Sequence, residues 1–295
     1  MIDLSSIAAI LAAAVWAVGG LLAFAPARAL GTYRFARIQI FTSAILVGFI
    51  AYLRGWLVTV DLTHWFALVI SGLIGILCTN LAFTMAIRRG GPRRAEVLFT
   101  SSAVFSAVFG YVLLGEVMNW QSILACVIVM AGIILAVLSE QTEGETHVLE
   151  RVEGSVWLVT SIGILAGLGQ AIGLLIIKEP MQEGLHPVAA TAVRLWVCMV
   201  ALILYDLLRK KEDLISASPG LILKAAIPGF LGYVVASSLL LYALTQRNTA
   251  EVVVLGSLSP VMILPLQWLI TRQRLGIGAY IGGGLAVIGT CLLVI

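Results

Sequence analysis

GLIGILCTNLAFTMA (residues 72–86) and GFLGYVVASSLLLYA (residues 229–243) are the two stretches that decide how this chain folds. Gly72, Gly75, Thr79, Ala82 and Ala86 make a stripe of small residues at helical spacing, and Gly229, Gly232, Ala236 and Ala243 make its counterpart. Lipid supplies no hydrophobic drive between helices, so close packing there depends on small residues. A shift of 157 residues lays one stretch on the other. The same shift carries Arg37 onto Arg194, Ser102 onto Ser259, Val104 onto Val261 and Gly132 onto Gly289. It also carries residue 138, where an apolar run ends, onto Ile295. Apolar sequences match easily by chance. One constant shift that also aligns a rare arginine and the segment ends argues for duplication.

The composition says why these helices meet lipid. Of 295 residues, 61% are hydrophobic and 11% charged, against roughly 25% charged in a soluble domain. A soluble fold of this size has too little interior to hide that much apolar surface. The net charge of +3 and the lack of a basic tail exclude a nucleic-acid partner. Cys78, Cys126, Cys198 and Cys291 all lie in apolar runs with no CxxC pair, so they read as small apolar residues. No metal or other cofactor is expected.

About 20 apolar residues as helix cross a bilayer core. On that scale the chain holds segments near 4–24, 32–53, 64–87, 94–114, 120–138, 156–177, 188–208, 221–244, 251–271 and 276–295. The first reads as a retained helix, because a cleaved signal wants a basic start and this one offers Asp3. The one long polar stretch, rich in glutamate, falls at mid-chain. The expected organisation is therefore a first repeat over 1–138, a polar linker over 139–157 and a second repeat over 158–295. The fold class is all-α integral membrane protein, with ten transmembrane helices as two five-helix repeats. Two units of odd helix number joined by a loop must thread the membrane in opposite senses. Inverted repeats of this kind are a hallmark of secondary transporters, with the site near the midplane between the halves. Loops after odd-numbered segments carry most of the Lys and Arg, among them Arg88, Arg89, Lys210, Lys211, Arg272 and Arg274. That bias favours a cytoplasmic side there and both termini outside.

Polar side chains within apolar segments are costly and mark candidate sites. The substrate-binding candidates are Trp16, Thr79, Asn80, Ser101, Ser102, Gln170, Tyr233, Ser237, Ser257 and Ser259. Asn80 and Gln170 are the most informative, since an amide offers both donors and acceptors; each also fits a plain interhelical hydrogen bond. Arg37 and Arg194 suit either snorkelling or a pair of gate or carboxylate-binding residues. Glu96 and Glu251 open the fourth and ninth segments, where a helix start favours negative charge; coupling is the other reading. Pro228, Pro260 and Pro265 are expected to bend the eighth and ninth segments. HExxH, GxSxG and Walker A patterns are missing and no acidic residue sits at a segment midpoint, so hydrolytic, metal-dependent and ATP-driven readings find no footing. A drug exporter for lipophilic cations would want a cavity-facing carboxylate, which the sequence does not display. A passive channel and an intramembrane enzyme are the rivals from other classes.

Several strings resemble a known family. Leu113-Leu114-Gly115-Glu116, Gln121, Ala131-Gly132-Ile133 and Ser259-Pro260-Val261, with Arg37 and Arg194 early in the second and seventh segments, resemble the ten-helix EamA-type exporters of the drug/metabolite transporter superfamily. The resemblance covers both halves. Ala103 and Arg272-Gln273 stand where the family often has Pro and Gly-Glu. The resemblance implies a central cavity lined by helices 1, 3, 4, 6, 8 and 9, and export of amino acids or similar small polar metabolites. It also implies a multi-pass protein of the inner (cell) membrane, monomeric or homodimeric, whose partners are a small-molecule substrate and membrane lipid.

Overall fold

The computed structural model describes residues 3–138, 155–209, 218–271 and 277–294. The linker core 139–154, Lys210, Lys211, Arg272 and Arg274 lie outside them. Among the described residues every regular element is helical. Helix α1 spans Leu4–Leu30 and α2 Thr32–Leu53. Asp3 caps α1 by accepting from the Ser6 amide at 2.8 Å, and Gly31 (φ 76°) makes the turn into α2. Helix α3 (Trp65–Gly72) runs through a π-helical turn, Leu73–Cys78, into α4 (Thr79–Gly90). Helices α5 (Pro92–Phe99), α6 (Ser101–Leu114) and α7 (Trp120–Leu138) complete the first half.

The second half repeats that order. It holds α8 (Val156–Gln182), α9 (Pro187–Arg209), and α10 (Pro219–Gly229), followed by a π-helical stretch, Phe230–Ser237, and α11 (Ser238–Leu244). It closes with α12 (Thr249–Gly256), α13 (Ser259–Thr271) and α14 (Ile277–Val294). Seven continuous helical runs among the described residues are long and apolar enough to cross a bilayer. Three shorter apolar helices, Trp120–Leu135, Thr249–Ile263 and Tyr280–Gly289, accompany them.

Local irregularities recur at the 157-residue shift. The π-turn at 73–78 falls on the one at 230–237, and the break at Thr100 falls on the break at Ser257. Prolines do not cause these features by themselves. Pro228 precedes the second π-turn and Pro260 follows the second break, yet the first half has both irregularities with no proline at either place. The π-turn leaves the Ile74 carbonyl to Thr79, whose Oγ1 donates to it at 2.9 Å. Irregular turns in membrane helices persist where side chains help satisfy the backbone or where they border a cavity.

Small residues set the crossings. Cβ atoms added at Gly75 and Gly173 would lie 2.6 and 2.4 Å from the opposing glycine Cα, so α8 meets the first π-turn backbone to backbone. The duplication carries that pair onto Trp16 and Gly232, where a Cβ at Gly232 would stand 3.6 Å from the Trp16 indole nitrogen. A ring thus replaces a glycine at the second crossing. Gly132 and Gly289, equivalent by the same shift, each press on the partner helix where α7 and α14 cross.

Polar contacts tie the helix ends together. At one end Asp3 meets Arg247 at 3.2 Å, Arg247 meets Glu251 at 3.2 Å, and Glu116 pairs with Lys178. There also His64 meets Glu183 at 2.7 Å, and the His186 amide donates to Thr59 Oγ1 at 3.0 Å. The His186 ring stacks on Trp56, centroids 4.0 Å apart, and burial pulls its pKa below the usual histidine value. At the other end Arg37 binds Asp206 at 2.9 Å and Arg88 reaches Thr32 at 3.4 Å.

Candidate functional site

A cavity of about 1170 Å³ of atom-free space, its outward-opening part included, lies between the halves. Both halves build its wall, and both π-turns border it: Gly75 and Ile76 in the first, with Thr79 just beyond, and Gly232, Tyr233 and Ser237 in the second. The breaks between paired helices border it as well, through Thr100 and Ser257. Trp16 on α1 faces the cavity from between Gly232 and Gly256, each with room for its ring at 3.6 Å.

Of the residues singled out by sequence, Trp16, Thr79, Asn80, Ser102, Gln170, Tyr233, Ser237, Ser257 and Ser259 line this cavity. Ser101 does not. It turns toward α8, where a Cβ at Gly167 would meet its Oγ at 2.4 Å. Arg37 and Glu251 also lie off the wall. Arg37 pairs with Asp206, which also accepts from the Tyr33 hydroxyl at 2.5 Å. Glu251 pairs with Arg247 and accepts from Ser122 at 3.4 Å.

Glu96 and Arg194 change the picture most. Glu96 does more than start a helix. It is buried on the cavity wall and accepts from Ser259 Oγ, in the other half, at 2.8 Å. A Cβ at Gly20 would come within 2.9 Å of its Oε1, so α1 leaves space for this carboxylate. The sequence reading that no carboxylate faces the cavity is therefore corrected. Arg194 also stands on the wall, 2% exposed.

Sequence reasoning missed Gln39, Thr84, Phe35, Phe83 and Phe99, all on the wall. Gln39 carried the same signal as Asn80, an amide inside an apolar run. The two meet directly, Asn80 Nδ2 donating to Gln39 Oε1 at 3.5 Å, and Thr84 Oγ1 donates to Asn80 Oδ1 at 3.1 Å. The second and seventh segments, here α2 and α9, thus join the six that the resemblance implied in walling the cavity. Taken together, the wall offers amides, hydroxyls, aromatic rings, one carboxylate and one guanidinium. Such a surface suits a small amphiphilic molecule. Among the described residues no three His, Cys, Asp or Glu cluster as metal ligands would.

A buried charge pair also joins helix ends of the two halves. Lys178 and Glu116 pair with side chains 7% exposed each. Glu116 also accepts from the Thr249 amide at 3.0 Å and from its hydroxyl at 2.8 Å. The carboxylate therefore caps α12, joining the α6 end of the first half to α8 and α12 of the second.

Residues 4–138 and 157–295 each match the EamA-like transporter family. A crystal structure of a protein 14% identical in sequence aligns with a TM-score of 0.73, over 99% of this chain and 96% of its own. At that identity the likeness concerns the fold. No curated protein matches the sequence.

Proposed function

The chain belongs to the EamA-like transporter family, and so to the drug/metabolite transporter superfamily; from that premise we propose that it is a secondary transporter exporting or exchanging amino acids or similar small polar metabolites. The two halves thread the inner membrane in opposite senses as ten spans, with both termini outside. They rock about the cavity between them to give alternating access. The observation that carries this reading is a cavity whose wall, mainly apolar with polar groups set into it, is drawn from both repeats and borders both π-turns and both helix breaks. Asn80, Gln39 and Gln170 orient the substrate's polar groups, while Trp16, Phe83 and Tyr233 cover its apolar part.

Purified protein in liposomes tests the proposal. A labelled amino-acid mixture should show saturable counterflow, and Asn80→Ala with Gln170→Ala should reduce it without lowering expression. Single-channel currents with no counterflow would replace the carrier with a channel. Glu96 favours one further reading: a cavity-facing carboxylate suits a lipophilic cation or a coupling proton. Glu96→Gln would then abolish efflux of such a cation, whereas flux of a neutral amphiphile would survive it.

A further inference from the structure

The duplication places Arg37 and Arg194 at equivalent positions, and the fold treats them differently. Arg37 is neutralised by Asp206 at 2.9 Å, with both side chains partly exposed. Arg194 is 2% exposed and has no acidic partner among the described residues. Its Nη2 donates to the Ser71 carbonyl at 3.2 Å, and its Nε is buried without an acceptor. The cause lies in one position. Where the second repeat has Asp206, the first has Phe49, whose ring is 59% exposed. The symmetry that supplies Arg37 with a counter-charge supplies Arg194 with none.

A guanidinium stays protonated in a protein, so Arg194 cannot shed its charge to escape burial. A buried charge is tolerated when something pairs with it, and an unpaired one within a membrane protein marks a functional site. Gly75 keeps the approach clear, since a Cβ there would stand 3.0 Å from Nη2. Donors remain on a wall of a cavity large enough for a ligand.

We propose that Arg194 anchors the anionic end of the transported molecule, and that this end is a carboxylate. The inference rests on the transporter reading and narrows its substrate class. A planar fork of donors matches the two oxygens of a carboxylate. One guanidinium balances one negative charge, so a phosphate dianion would bring a second charge into the cavity with no partner. Glu96 stands elsewhere on the same wall, against Gly20 and Ser259, where its carboxyl oxygens offer acceptors to an ammonium or a neutral polar end. The acid end therefore lies at Arg194 and an ammonium or neutral end points toward Glu96.

Wild type, Arg194→Lys and Arg194→Gln, purified in detergent, are melted with phenylalanine, phenylalaninamide, phenylacetate and methyl phosphate. Phenylalanine and phenylacetate are expected to raise the melting temperature of the wild type, and the amide and the phosphate to leave it unchanged. Arg194→Gln should weaken binding of the acids about ten- to a hundredfold, the loss of one charge-assisted hydrogen-bonded pair, while Arg194→Lys keeps the acid preference at lower affinity. That preference is the readout that a merely structural arginine would not move. If Arg194→Gln does not fold, the wild type and Arg194→Lys decide. The proposal is overturned if neither acid stabilises the wild type, if the amide does so as well as the acid, if methyl phosphate does so better, or if Arg194→Gln keeps the preference. Counterflow in liposomes separates this outcome from failure of the transporter reading. Flux of carboxylate-free solutes alone removes the anchor and leaves the carrier; acid binding with no flux of any solute removes the carrier and leaves the anchor.

Discussion

Replacing Gly173 by alanine adds one methyl group where α8 crosses the first π-turn. The new carbon would stand 2.4 Å from Gly75 Cα and 3.4 Å from the Ser71 carbonyl oxygen. Carbon atoms in contact prefer about 3.5–4.0 Å. The backbones must therefore part by about 1 Å, and neither partner is a flexible side chain that can swing away. Overpacking of this kind costs about 1–3 kcal/mol. A 2.4 Å contact with backbone lies at the upper end of that range, so after alanine returns up to about 1 kcal/mol of helix propensity a net loss of about 2 kcal/mol remains. For a chain of this size that lowers the melting temperature by a few degrees, at about 2–4 °C per kcal/mol. Gly284→Ala is the control, because nothing lies within 4 Å of its added carbon; its melting temperature should hold or rise. Melting curves of the detergent-solubilised variants make the comparison. Gly173→Ala melting at or above wild type, with the control behaving as stated, would refute the backbone-to-backbone contact between the halves.

Other outcomes follow from the same structure. Lys178→Met should lower stability by about 3 kcal/mol, the usual loss when one partner of a buried pair is removed, and adding Glu116→Gln should restore part of it; thermal melts of the single and double variants check this. Gly20→Ala should leave the melting temperature nearly unchanged, because only the flexible end of Glu96 stands 2.9 Å away, but should lower counterflow several-fold by displacing that carboxylate. Burial holds the His186 pKa below the ordinary value, and its Nδ1 accepts from the Val188 amide at 3.3 Å. Its neutral form is thus favoured in the fold, so stability is full above the ordinary histidine pKa and falls as pH drops through it. Melts between about pH 8 and about pH 5 should show that loss, and His186→Gln should flatten it.

The large-scale plan was legible because lipid forces long apolar runs on a spanning chain, and a repeat shows itself when one shift aligns their ends and their small residues. What the sequence left open depends on facing. Ser101 and Ser102 are adjacent, yet about 100° apart around a helix, so one turns to α8 and the other to the cavity. Period alone does not fix that phase. Arg37 and Arg194 look equivalent until the acid at position 206 is set against the phenylalanine at 49. At the first π-turn and at both breaks a hydroxyl takes a backbone carbonyl, Thr79 that of Ile74, Thr100 that of Val97 and Ser257 that of Val253, a competition that periodicity does not reveal. Proline content drew attention only to the second-half copies. Glu96 read as a helix-start residue because its partner, Ser259, lies in the other half of the chain. Gln39 was overlooked although it carried the signal that picked out Asn80.

Antiparallel threading of the two repeats is tested most directly by labelling from one side. Cysteine is placed at Val58, ahead of the third apolar segment, and at Ser218, ahead of the eighth, with the native cysteines replaced by alanine. Both positions are exposed. In intact cells a membrane-impermeant maleimide should label Val58→Cys and spare Ser218→Cys until the membrane is opened. Labelling of both from the same side would contradict the twofold relation and the carrier mechanism built on it.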